Sequence, residues 1–393
     1  MILSKYAHKL EGQPMFKVLQ KCKEMEAAGR SLFHFEIGDP DFSTSLDVKK
    51  AAIVSIMNNK THYTSSMGIT ELRKAVANRV HGDYGFNPSL DQIVITPGCN
   101  PIIYYSIRCL VNEGESVIIP DPGFSTYMSA VSFCGVVPLR APLLEKNEFK
   151  VDVDDMRKLC RPDTRLIIIN SPNNPTGSSL SYDDVRKIYE LAEELDLYIL
   201  SDEIYYRMIY DSKHFSPSVF DECRKRVILS CGVSKGWAMT GWRIGYCVCP
   251  PDLADKFGLL NQTIVSCLPE FTQEGAVAAL GDLSYSLEMV QRYKRRRNLM
   301  VNMLNNIKGV RCLTPGGAFY VFPNIIGTGL TSQEFVDKSM EAGVVLLPGT
   351  DFGMYGEGYV RLCYANSDEN IMKAMEILQG VFGRVERKYL IML

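Results

Sequence analysis

The sequence holds no Cys-x-x-Cys pair, no His-x-x-x-His pair and no apolar run long enough to span a bilayer. Its five histidines stand apart and none sits beside a cysteine at zinc-like spacing, so a metal centre is not expected. The 12 cysteines are scattered, with Cys109, Cys247 and Cys363 inside apolar runs, which reads as reduced thiols in a cytoplasmic protein. An excess of charge is also missing: 43 Lys and Arg stand against 45 Asp and Glu, for a formal charge of -2. That balance offers no electrostatic footprint for nucleic acid or an anionic membrane and leaves a small molecule as the expected partner. The apolar start of residues 1–16 is soon broken by Lys5, His8, Lys9 and Glu11, so no signal-peptide core is expected there. Internal repeats and low-complexity linkers are absent.

What is present suggests an α/β fold. A chain of 393 residues exceeds the usual size of one core, so two lobes are expected. Short β-branched runs at 93–95, 117–119, 166–169, 197–200 and 227–229 alternate with helical stretches, which predicts a buried, mostly parallel sheet. One such stretch places Val185, Ile188, Tyr189, Ala192 and Leu195 on a single face, with Ser181 and Asp184 arranged as a capping box. From Asp282 the pattern changes to a long charged helix through Tyr293 and Arg297, then to sparser strands at 318–322 and 359–364. The expected division is an N-terminal segment 1–46 contributing to a small domain, a large domain 47–281 and a small α+β domain 282–393. The stretch before Asp47 has few element signals of its own and is expected to drape onto the small domain.

Polar or small residues follow each core run: 96–100, Asp121, 170–172, 201–203 and 230–232. Ligands of open parallel sheets bind beyond the carboxyl ends of the strands, so these clusters are expected to line one crevice. Within them, Gly98-Cys99-Asn100-Pro101 precedes an apolar helix, with Asn100 suited to the N-cap and Pro101 to the first helical position. The free N–H groups of such a helix start suit a phosphate, although a plain cap is the ordinary use. Asp202 ends an apolar strand, where an ionised carboxylate needs a positive partner or several donors.

The stretch Ser234-Lys235 through Gly241, Arg243 and Gly245 reads SK-x5-GxRxG. It resembles the lysine signature of the class I and II aminotransferases, the fold-type I pyridoxal-phosphate family. Seven further segments match that family in order: Gly38-Asp39-Pro40-Asp41-Phe42, the run from Tyr63 to Arg73, Asp121-Pro122-Gly123-Phe124, Asn170 through Asn174 to Gly177, Asp202-Glu203-Ile204-Tyr205, 315–320, and Val360-Arg361-Leu362, which closes the series. The resemblance implies a large domain with a mostly parallel sheet sandwiched by helices, a smaller α+β domain, and pyridoxal 5'-phosphate as cofactor.

Carried over by position, the resemblance makes Lys235 the Schiff-base lysine and proton shuttle. Asp202 then holds the pyridine nitrogen protonated, Asn174 and Tyr205 meet the phenolic oxygen, and Phe124 covers one ring face. Arg243 with Gly98 and the N–H groups of Cys99 and Asn100 would hold the phosphate, while Tyr63 would reach the phosphate of a neighbouring subunit, implying a homodimer. The flat fork of Arg361 suits an α-carboxylate, helped by Asn174 and the backbone of Gly38. The implied reaction is ping-pong transfer of an amino group from an L-amino acid to a 2-oxo acid. The same motifs also serve carbon-sulfur β-lyases and, in another class, non-catalytic sensor modules that bind the cofactor.

Two positions depart from the aspartate-type pattern: Gly232 stands three before the lysine, where Ser or Thr is usual, and Asn100 replaces a lysine that reads a distal carboxylate. Together, 230–235 look closer to the tyrosine aminotransferase branch. An aromatic or large apolar donor is therefore expected to outperform aspartate, with Phe16, Phe124 and Trp237 as candidate apolar walls.

Overall fold

The β-branched runs assemble side by side because each is apolar on both faces and must be covered on both. The computed structural model describes residues 3–10 and 12–385. In chain order its strands are β1 (Phe33–His34), β2 (Ile93–Thr96), β3 (Ser116–Asp121), β4 (Val137–Pro142), β5 (Thr164–Asn170), β6 (Tyr198–Asp202), β7 (Val227–Gly232), β8 (Gly245–Val248), β9 (Tyr320–Val321), β10 (Val344–Val345), β11 (Leu347–Pro348) and β12 (Val360–Cys363). Seven of them form one sheet in the order β2-β8-β7-β6-β5-β3-β4. Only β8 runs against its neighbours β2 and β7. Register sets Asn170 beside Asp202 and Asp202 beside Ser230, so the polar strand ends fall on one edge.

Two strands of this sheet escape the sequence pattern. The β4 run, Val-Pro-Leu-Arg-Ala-Pro, carries two prolines that cannot donate to a ladder, which confines it to the sheet edge where it is found. The four-residue β8 follows directly on the Lys235 loop and is too short to show a period. The predicted capping box is present, with Ser181 and Asp184 starting the helix Tyr182–Glu194. The charged helix runs from Ser284 to Leu304.

Apolar side chains cover both sheet faces, Ile93, Ile167 and Leu229 in one cluster and Val117, Ile168 and Ile228 in another. A separate core gathers Met289, Tyr293, Phe319, Leu362 and Ile371, and also takes in Phe35 and Tyr205. The N-terminal stretch does reach this part, since β1 pairs in parallel with β10. It is not poor in elements, however: Pro14–Ala27 forms a helix. Its polar composition hides it, because Cys22 is its one buried residue among those described. No helix among the described residues is long and apolar enough to cross a membrane.

Candidate active site

Beyond the carboxyl ends of β5, β6 and β7 opens a cavity of about 460 Å³. Gly38, Cys99, Asn100, Phe124, Asn174, Asp202, Tyr205, Lys235, Arg243 and Arg361 all line it. Gly98 is not among the lining residues but packs against one of them, since any Cβ there would sit 2.3 Å from Nη2 of Arg243.

Lys235 follows β7 on the loop that leads into β8. Its Nζ donates to the Gly38 carbonyl at 2.6 Å. Burial lowers its pKa from 10.5 to about 8, with Arg243 and Arg361 adding to the effect and Asp39 opposing it. A substantial fraction of this amine is therefore neutral near pH 7.5, as a nucleophile or base requires.

Asp202 is the last residue of β6. Burial raises its pKa from 3.8 to about 6, against the Tyr127 hydroxyl at 2.6 Å and the Ile204 N–H at 3.3 Å, which favour the anion. Asn170 donates to the Asp202 carbonyl at 2.9 Å and accepts from the Asn174 N–H at 2.8 Å, tying two site segments to the sheet edge.

Arg361 stands on β12 and is 3 % exposed. Nη1 donates to Asn174 Oδ1 at 3.0 Å and Nη2 donates to the carbonyl of Glu36. The guanidinium lies between the rings of Tyr320 and Phe352, 4.6 and 4.7 Å from their centroids, which fixes the plane of the fork. The hydroxyls of Tyr205 and Tyr320 meet at 2.8 Å.

At the mouth, the helix Asn100–Leu110 begins one residue earlier than expected: Cys99 is the N-cap and its side chain caps nothing. Asn100 is thus already helical, and Pro101 occupies the second position. The Ile102 N–H turns back to the Cys99 carbonyl at 3.0 Å, while Cys99 and Asn100 line the cavity at a helix start, where backbone N–H groups are short of intrahelical acceptors. Arg243 sits beside them in a left-handed backbone conformation, φ 55°, donating to the carbonyls of Thr240 and Pro97. The small residue at 232 has a packing cause, since a Cβ there would come within 2.9 Å of the Ile244 carbonyl and 3.2 Å of the Cys99 sulfur.

Not every predicted residue joins this group. Tyr63 is 88 % exposed and outside the cavity lining. Trp237 is a core residue rather than a cavity wall, its indole donating to the Asp282 carbonyl at 3.3 Å. The Phe16 side chain lies outside the described residues. Sequence reasoning missed Tyr127 and assigned no site role to Tyr320 or Asn170. Tyr127 had a signal: it stands three residues after Phe124, on the same helical face. Gln13 and Met15, which also line the cavity, carry no such mark.

The family model for class I and II aminotransferases matches residues 30–378. The chain is 39% identical over 368 residues to the aspartate aminotransferase of Pyrococcus horikoshii, covering 92% of this chain and 93% of the relative. Identity is likewise 39% to aromatic-amino-acid aminotransferase 2 of Thermococcus litoralis, covering 92% and 95%. Among solved structures, a double mutant of Thermus thermophilus aspartate aminotransferase superposes with a TM-score of 0.92 at 31% identity, over 97% of this chain and 100% of that one. The chain belongs to the class I and II aminotransferases and is a fold-type I, pyridoxal-phosphate-dependent transaminase of amino acids.

Proposed function

We propose that the cavity transaminates an aromatic or large apolar L-amino acid against a 2-oxo acid, with Lys235 as the covalent anchor and proton carrier. The observation that carries this reading is the convergence of one amine of lowered pKa, one buried carboxylate and one buried arginine fork on the same cavity. These residues fit pyridoxal phosphate. Asp202 is a buried acid in want of a cationic partner, and the exposed helix start with Arg243 suits a phosphate. Bound there, the cofactor supplies an electron sink for the carbanion left when a bond to the substrate's Cα breaks.

The protein's own groups then have distinct tasks. Nζ of Lys235 holds the cofactor, and once free it takes the proton from Cα and carries it across. Asp202 keeps a ring nitrogen protonated, with Tyr127 orienting the carboxylate. Tyr205, aligned by Tyr320, and Asn174 donate to the phenolic oxygen, while Phe124 covers the ring. Arg361 grips the α-carboxylate and so aims the Cα–H bond toward Lys235. The first 2-oxo product departs before the acceptor arrives, so the kinetics are ping-pong.

Side-chain selectivity follows from the charges left over. Lys235, Arg243 and Arg361 are the cations among the lining residues, and each already has a task. The carboxylate of Asp39, hydrogen-bonded to Thr240 at 2.7 Å, opposes a second acid on the substrate. Met15, Ile37 and Phe124 offer apolar wall.

A homodimer would complete the site. The helix Leu46–Met57 leaves Leu46, Ile53, Val54, Ile56 and Met57 exposed shortly before Tyr63, an apolar face suited to a second copy. Tyr63 would then reach the partner's phosphate.

The test compares kcat/KM for aspartate, tyrosine, phenylalanine and methionine with a common acceptor, in wild type and Asn100→Lys. At least one aromatic or large apolar donor should exceed aspartate. The lysine should improve aspartate by roughly tenfold to a hundredfold, the value of a charge-assisted hydrogen bond. A wild-type preference for aspartate of about tenfold or more, with no gain in the variant, would overturn the reading.

A further inference from the structure

Cys22 lies on the helix Pro14–Ala27, and His34 ends β1. Glu36 continues the same extended run, so the alternation of a strand puts its side chain on the His34 side. Pairing of β1 with β10 brings these residues under the helix, and a sulfur, an imidazole nitrogen and a carboxylate oxygen come within 4.8 Å of one another. Cys22 and Glu36 are both 0 % exposed. His34 Nδ1 meets Glu36 Oε1 at 2.8 Å, and Nε2 meets Oε1 of the more exposed Glu26 at 3.1 Å.

An ordinary ion pair accounts for part of this arrangement. A protonated His34 between two carboxylates satisfies one oxygen of each, and an apolar thiol packs well against Met340 and Val345. That account leaves Glu36 Oε2 buried with no hydrogen-bond partner. A buried anionic oxygen without a donor is costly and calls for a further positive partner.

We propose that Cys22, His34 and Glu36 bind a divalent cation of zinc type, through the thiolate, Nδ1 and the carboxylate. Thiolate, imidazole and carboxylate are the usual zinc donors, at about 2.0 to 2.3 Å, and three protein ligands leave one tetrahedral position for solvent. Coordination through Nδ1 leaves Nε2–H donating to Glu26, the carboxylate that orients a metal-bound histidine. The cation would fasten the N-terminal helix to the segment that borders the cavity. Glu36 offers its carbonyl to Arg361, and two residues on, the Gly38 carbonyl accepts from Lys235. Nothing in the sequence spacing marks this site, because its ligands converge only through strand pairing.

The test uses chelator-treated holoprotein titrated with Co²⁺ and then Zn²⁺. Readouts are metal content per chain, the red ligand-field absorption of tetrahedral Co²⁺, which is clear of the cofactor band, and the thermal midpoint. The expected result is one ion per chain, displaced by Zn²⁺, with a midpoint that climbs as free cation increases. Cys22→Ala and His34→Gln should lose the ion, and Glu26→Gln should bind roughly 10 to 100-fold more weakly. Absence of a stoichiometric ion overturns the proposal, as does affinity unchanged in Cys22→Ala. Should Cys22→Ala fail to fold, unchanged affinity in both His34→Gln and Glu26→Gln overturns it equally.

Discussion

Asp202→Asn should stabilise the cofactor-free protein while crippling the loaded enzyme. Burial raises the Asp202 pKa from 3.8 to about 6, which means that folding favours the neutral acid. The associated stability is fully present below the unfolded value of 3.8 and is lost as pH rises through about 6. At 1.36 kcal/mol per pKa unit, that difference amounts to about 3 kcal/mol of strain in the anion above neutral pH. Asparagine is neutral throughout and still accepts from Tyr127, but its amide cannot also accept from Ile204, a loss of about 1 kcal/mol. The variant should therefore gain about 2 kcal/mol near pH 8 and lose that advantage near pH 4. Urea unfolding of both cofactor-free proteins across this range gives the comparison. Parallel pH curves, with no gain for the variant at the alkaline end, would refute the argument. In the loaded enzyme the same change removes the ring nitrogen's charge partner but leaves Arg243 and Lys235, so stopped-flow should find Cα deprotonation slowed more than cofactor affinity is weakened.

Capture of pyridoxal phosphate by the cofactor-free protein should accelerate as pH rises through about 8 and then level off, following the neutral fraction of Lys235; a midpoint near 10.5 would mean an ordinary solvated lysine. Arg361→Lys keeps the charge but loses the planar fork, so KM for every amino donor should rise by roughly tenfold to a hundredfold, and steady-state kinetics showing an unchanged KM would remove Arg361 from the carboxylate site. Tyr320→Phe leaves the buried Tyr205 hydroxyl without its partner and should cost about 1 to 3 kcal/mol in urea unfolding; equal stability would mean that the contact is dispensable.

The sheet and its crevice were legible because each central strand carries its own signal. The run Leu-Ile-Ile-Ile ending in Asn170, for example, is apolar on both faces and turns polar at the ligand edge. Lys235, Asp202 and Arg361 were legible through the family resemblance; Asp202 ends β6 and Lys235 follows its neighbour β7, while Arg361 reaches the same cavity from the separate sheet β11-β12-β9. Other features depend on tertiary packing. Trp237 reads as a site aromatic from its place beside the lysine, yet loop geometry turns it into the core, where Asp282 accepts its N–H. Tyr127 reaches Asp202 only when a helix docks on the sheet. The helix Pro14–Ala27 buries too narrow a face to imprint a period. Cys22, His34 and Glu36 converge only after β1 finds β10.

The central claim is that Lys235 carries the cofactor in this cavity, and borohydride reduction of the loaded protein followed by peptide mass mapping tests it most directly. Reduction fixes the cofactor to the amine that holds it, so the account predicts a pyridoxyl phosphate mass on the peptide containing Lys235, absent from Lys235→Ala. A stoichiometric adduct on a different lysine, or an unmodified Lys235 in fully active protein, would contradict it.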